Sequence, residues 1–124
     1  MLRLGTIVLG ATDVSRAVTF WSAALGYEVV TFPGSENEFT ILRPPSLEGT
    51  RVAVQRSDTP AEEHPRTHID LVVDTAEEQA AQVERLIALG ATMVDWDSYP
   101  ADPDFVVLAD TEGNRFCVVD ASHG

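Results

Sequence analysis

His68 and Asp70 stand two residues apart in the run His68-Ile69-Asp70-Leu71-Val72-Val73, whose apolar, β-branched content reads as a strand. Side chains alternate across a strand, so the imidazole and the carboxylate share one face while Ile69, Leu71 and Val73 share the other. An imidazole beside a carboxylate can move a proton or orient a bound molecule; it can equally be a strand histidine satisfied by a neighbour. Asp70 is then either the group that orients His68 or a solvated wall. The single thiol, Cys117, lies in Gly113-Asn114-Arg115-Phe116-Cys117-Val118, again strand-like. Phe116 and Val118 take one face of that strand, and Cys117 and Val119 the other. A thiol so placed is a nucleophile, a soft metal ligand or a small buried apolar group. Trp96, Tyr99 and Phe105 follow in a loop and hairpin, where they either line a cleft mouth and stack on a flat ligand or pack ordinarily.

The elements that position these groups are written twice. Thr6-Ile7-Val8-Leu9-Gly10-Ala11-Thr12-Asp13 matches His68-Ile69-Asp70-Leu71-Val72-Val73-Asp74, each an apolar run closed by Asp. A helical pattern follows each run and ends in Leu-Gly, at Leu25-Gly26 and Leu89-Gly90. Three short apolar runs come after each helix, the last pair being Gly49 to Val54 and Gly113 to Val118. Five landmarks in one order make a repeat of a strand–helix–three-strand unit, and repeats decide the fold before any other signal. The sequence divides into a first module at 1–57, a polar linker with Pro60 and Pro65 at 58–66, and a second module at 67–124, together one α/β (α+β) domain.

Each helix has its own signals. Asp13 is placed to cap the first, whose apolar positions Val14, Ala17, Val18, Trp21, Ala24 and Leu25 recur at helical spacing, and Gly26 can end it in the left-handed conformation. Thr75-Ala76-Glu77-Glu78 reads as a capping box for the second. Ala76, Ala80, Val83 and Ile87 are its expected buried stripe, and Gly90 its terminator. A helix covers only one sheet face, so the other face of each module should line a ligand cleft shared by both copies. Alternation puts Thr6 and Val8 on that face of the first strand, and Ala53 and Gln55 on that face of the fourth. By the repeat, Thr6, Ala53, His68 and Cys117 occupy equivalent positions.

Composition bounds the rest. The chain has 124 residues, 44% of them hydrophobic, enough for one core. No run approaches the ~20 apolar residues of a membrane span, and the start is unlike a secretory signal, so a cytoplasmic location is expected. One cysteine allows no internal disulfide. Twenty acidic residues against eight basic give a net charge of −12. That charge repels phosphate backbones, which argues against a nucleic-acid partner, and it attracts cations or simply keeps the protein soluble.

The ordered set Asp13, Phe20-Trp21, Leu25-Gly26, His68 and Asp110-Thr111-Glu112-Gly113-Asn114 resembles the vicinal-oxygen-chelate superfamily, which includes glyoxalase I, extradiol dioxygenases and bleomycin-resistance proteins. Thr111 stands where the superfamily usually has proline. His68-Ile69-Asp70-Leu71 taken with Val107 to Cys117 is similar to a glyoxalase-like branch common in actinobacteria. The resemblance covers nearly the whole chain. It implies two βαβββ modules forming a cupped, eight-stranded mixed sheet that binds a small molecule, commonly as a homodimer. Metal enzymes of this kind hold one divalent ion with His, Gln or Glu at the four equivalent positions. Here those positions carry Thr6, Ala53, His68 and Cys117. A hydroxyl ligates such ions poorly and a methyl not at all, so no standard metal site and no cofactor are expected. His68 and Cys117 are the remaining metal candidates, and the two-residue offset of Asp70 from His68 works against its joining them. The resemblance therefore implies sequestration of a small cationic or aromatic molecule in the bleomycin-resistance manner, contacted by Thr6, Val8, Ala53, Gln55, Trp96, Tyr99 and Cys117. The alternative is a glyoxalase- or dioxygenase-type lyase, isomerase or oxygenase. It would use His68 with Asp70 or Cys117, with or without a divalent metal.

Overall fold

Residues 1–124 are described by a computed structural model, in which the chain divides into a first unit, Met1–Pro60, and a second, Ala61–Gly124. Eight strands and two helices are shared equally between them, as two four-stranded mixed sheets each with one helix. No helix is long and apolar enough to cross a membrane.

The first unit runs β1 (Thr6–Ala11), α1 (Val14–Leu25), β2 (Glu28–Thr31), β3 (Phe39–Arg43) and β4 (Arg51–Arg56), with sheet order β1-β4-β3-β2. β1 and β4 pair in parallel and the other pairs are antiparallel, so α1 and the two strands after it supply the crossover that a parallel pair requires. Asp13 caps α1 as its sequence position implies: the Arg16 N–H donates to Asp13 Oδ1 at 3.0 Å. Gly26 ends it at φ 69°, donating its N–H to the Ser22 carbonyl. The buried face of α1 is Val14, Ala17, Phe20 and Trp21. Phe20, absent from the expected stripe, replaces Val18, Ala24 and Leu25, which are only half-buried. The Phe20 and Trp21 rings meet edge to face with centroids 5.1 Å apart, and two large aromatics outweigh the smaller groups in fixing the helix's rotation.

The second unit repeats the plan as β5 (Asp70–Val73), α2 (Ala76–Leu89), β6 (Thr92–Met93), β7 (Phe105–Ala109) and β8 (Arg115–Asp120), with order β5-β8-β7-β6. Thr75 Oγ1 accepts the Glu78 N–H at 3.1 Å. The return bond reaches one residue further back than a capping box requires, from the Asp74 N–H to Glu78 Oε2.

The expected stripe on α2 is not the one used. Ala76 and Ala80 are exposed and Ile87 is 40% exposed, while Leu86 is buried with Val83 and Gln79 beside it. The reason is polar: the Gln79 amide donates to the carbonyls of Val118, at 2.9 Å, and Asp104, at 3.0 Å. Those bonds turn the helix so that a glutamine faces the sheet. Gly90 takes φ 124°, and a Cβ there would lie 3.0 Å from the Thr111 methyl, so the helix end needs glycine twice over.

Before β8, the Asp110 carboxylate is 4% exposed and its Oδ1 accepts the N–H groups of Glu112 and Asn114, each at 2.9 Å. The Asp110 N–H in turn donates to the Asn114 carbonyl. Asp110 is therefore the internal clamp of a tight turn closed by Gly113 at φ 88°, and that turn sets where β8 begins.

Candidate functional site

β8 is the central strand that builds the site. In the ladders of the second unit Asp70 pairs with Cys117, Val107 with Cys117, and Phe105 with Val119. Cross-strand partners share a face, so these five side chains lie together, opposite the face that α2 covers. They floor a pocket of about 430 Å³, whose walls add His68, Trp96, Asp104 and Arg115. That size suits a small organic ligand.

His68 lies two residues before the β5 ladder rather than inside the strand. Just before the ladder, the Cys117 N–H donates to the Ile69 carbonyl. Outside the pleat its side chain is free to turn, and His68 Nε2 sits 3.0 Å from Asp70 Oδ1. A ring nitrogen of His68, a carboxylate oxygen of Asp70 and Cys117 Sγ all lie within 4.8 Å of one another. The two-residue offset between His68 and Asp70, expected to work against Asp70 joining His68 and Cys117, leaves the three groups close together. Cys117 is 8% exposed. Burial foremost, then the negative charge of Asp70 and its hydrogen bond with the thiol, and last Asp104, push the thiol up to about 11. A proton on sulfur at neutral pH makes Cys117 a poor nucleophile.

Trp96 forms one wall and has two neighbours against its ring. The His64 ring lies 5.0 Å from it, and Arg115 Cζ lies 5.7 Å from its centroid. His64 Nε2 is 2.9 Å from Asp97 Oδ1, and that hydrogen bond, with a second from Ser98, holds the Asp97 carboxyl below its ordinary range. Tyr99 does not line the pocket. β6 is only two residues long and leaves the Val107 N–H without a ladder partner; the Tyr99 hydroxyl accepts it at 2.8 Å, with its ring 5.2 Å from Phe105. Tyr99 therefore supports the pocket floor at the edge of β7.

The remaining sequence candidates lie in the first unit. Val8 pairs with Ala53 and Gly10 with Gln55, so Thr6, Val8, Ala53 and Gln55 share one face of that sheet. Ala53 is fully buried, Thr6 half-buried, and Val8 and Gln55 exposed. The structure thus groups His68, Asp70, Cys117 and Trp96 in one pocket and keeps these four on the sheet of the other unit. Sequence reasoning passed over Arg115, although strand alternation from Cys117 places it on the same face. His64, in the linker, reads from the sequence as a solvated histidine; it is exposed, but its place beside Trp96 depends on loop geometry that no periodicity encodes.

The glyoxalase-like domain family matches the sequence over residues 6–119. No curated protein matches it significantly. Solved structures share the fold. A glyoxalase/bleomycin resistance protein/dioxygenase family enzyme from Burkholderia phytofirmans superposes with a TM-score of 0.72 at 18% identity, covering 96% of this chain and 98% of that one. The fosfomycin resistance protein FosX of Listeria monocytogenes gives 0.72 at 19% identity, covering 96% and 91%. Its E126Q mutant, complexed with Mn(II) and 1S,2S-dihydroxypropylphosphonic acid, gives 0.70 at 18%, covering 96% and 90%.

Proposed function

The chain belongs to the glyoxalase-like domain family, and from that premise we propose that it binds a small organic molecule in the pocket of its second unit without the metal site usual for the superfamily. The observation that carries this reading is the pocket itself: an apolar floor of Val107, Val119 and Phe105, an aromatic wall at Trp96, and one polar cluster where β5 meets β8. Such a surface gives area for binding and a few directed groups for orientation. The donor set argues against the four-ligand ion. Two of the four marked positions carry a hydroxyl, Thr6, and a methyl, Ala53. Sequestration follows as the function, the ligand's body lying on the apolar floor beside the Trp96 wall.

A thermal-shift screen of aromatic and aliphatic compounds in the presence of a chelator tests this. Binders raise the midpoint with concentration, and Trp96→Ala reduces the rise. A screen in which compounds bind only after a divalent ion is added overturns the proposal.

One observation favours a second reading. His68, Asp70 and Cys117 offer nitrogen, oxygen and sulfur within 4.8 Å, the donor count of a catalytic zinc site with one position open. Bonds of about 2.0–2.3 Å would draw those atoms to about 3.5 Å apart and require Cys117 to give up its proton. An ion so held would polarise a substrate oxygen, as a lyase or isomerase of the glyoxalase type needs, and a redox-active ion there would serve an oxygenase. Stoichiometric metal in protein purified without chelator, lost in His68→Ala, decides for this reading.

A further inference from the structure

Arg115 lines the pocket half-buried, yet it pairs with no carboxylate. Its guanidinium lies over the Trp96 ring and one of its Nη1 hydrogens goes to the Glu63 carbonyl. The cation–π contact sets the group beside Trp96, and a single backbone acceptor leaves most of its five donors unused. In a chain of net charge −12, a pocket-lining arginine without an acidic partner is an arrangement that calls for an anion from outside.

The strand register shows what such an anion would be attached to. Arg115 pairs with Ala109, Cys117 with Val107, and Val119 with Phe105, so the floor runs from a cationic end through the thiol to an apolar end. Asp70 is already engaged by His68 and by the Cys117 thiol. Asp104 adjoins Phe105, four residues along β8 from Arg115, about 13 Å at strand rise and beyond the screening length in physiological salt. The acidity of the whole chain favours a cationic ligand, but the charged group of the lining nearest the Trp96 wall is the Arg115 guanidinium.

We infer that the pocket takes a small organic carboxylate, its anionic head forked against the edge of Arg115 and its apolar body laid over Val107, Val119 and Phe105. This rests on the second-unit pocket being the binding site. Carboxylate fits better than a larger oxyanion because the guanidinium edge presents two parallel N–H groups in one plane, which matches a planar two-oxygen acceptor.

Three probes with one body and different heads test the inference: 3-phenylpropionate, 3-phenylpropanol and 3-phenylpropylamine, titrated into the full ¹⁵N-labelled chain. The expected result is that all shifts centre on the amides of Trp96, Arg115 and Cys117. The carboxylate should bind about tenfold more tightly than the alcohol, and its affinity should fall between about 50 and about 300 mM salt. Arg115→Gln should erase that preference, and Arg115→Lys, which keeps the charge without the fork, should keep part of it. If the alcohol or amine moves the same amides at equal or lower concentration, the pocket stands and the carboxylate inference falls. If no probe moves those amides, the pocket reading fails and takes the inference with it.

Discussion

Replacing Asp70 by Asn should make Cys117 more reactive. In the wild type the thiol rises from its usual 9.0 to about 11, with burial the largest cause and Asp70 supplying both the next charge effect and a hydrogen bond. At pH 8 those two values correspond to thiolate fractions of about 0.1 and about 0.001, so Cys117 should alkylate roughly 100-fold more slowly than an ordinary thiol of equal access. Asn at 70 removes the negative charge and leaves the burial, so the midpoint should drop part of the way toward 9.0. The pH 8 rate should rise several-fold and remain below the ~100-fold bound. Iodoacetamide labelling followed by intact mass from pH 7 to 11.5 reads this out. The midpoint of the pH–rate curve is the quantity to compare, because restricted access scales the rate equally at every pH. A wild-type midpoint at or below 9.0, or one unmoved in Asp70→Asn, would refute the reasoning. The same shift has a sign for stability. The folded chain holds the Cys117 proton more tightly than the unfolded one, so stability should decline as pH rises from about 9 toward 11, and Cys117→Ser should flatten that decline in urea melts.

Other outcomes follow from the packing. Gln79→Leu keeps volume but leaves the Val118 and Asp104 carbonyls without that donor, and should lower unfolding free energy by about 1–3 kcal/mol in denaturant titrations. Gly90→Ala meets both a φ of 124° and the Thr111 methyl at 3.0 Å, and should cost about 1–3 kcal/mol; Gly90→Ala with Thr111→Ser should recover the steric part. The Ser122 hydroxyl, first among its causes, holds the Asp120 carboxyl below its ordinary 3.8. That stabilisation is present above about pH 4 and disappears as pH falls through the lowered value, so Ser122→Ala should lessen stability at pH 7 and flatten its acid dependence.

Caps and repeat were legible in the sequence because they rest on local chemistry. Asp13, Gly26, Thr75 and Gly90 act within one helical turn, and the strand alternation that groups Asp70 with Cys117 needs only period two. What depended on tertiary partners was not legible. α2 turns on Gln79, a polar residue that an apolar stripe skips by construction. His68 was read as strand because its neighbours are β-formers, yet the ladder stops at Asp70, and that stop is what lets the imidazole reach the carboxylate. Tyr99 looked like a ligand platform by type, and only the shortness of β6 reveals the Val107 N–H that claims its hydroxyl. Arg115 is the instructive case, since the alternation already placed it beside Cys117 and attention to acidic and metal-binding types passed it over.

The second-unit pocket is tested most directly by mapping amide shifts across the whole chain with a thermal-shift hit, in chelator. The account predicts changes confined to the segments around His68–Asp70, Trp96–Ser98, Asp104–Val107 and Arg115–Val119. Changes centred instead on the polar pocket of the first unit, around Thr31–Thr40, or appearing only when a divalent ion replaces the chelator, would contradict it.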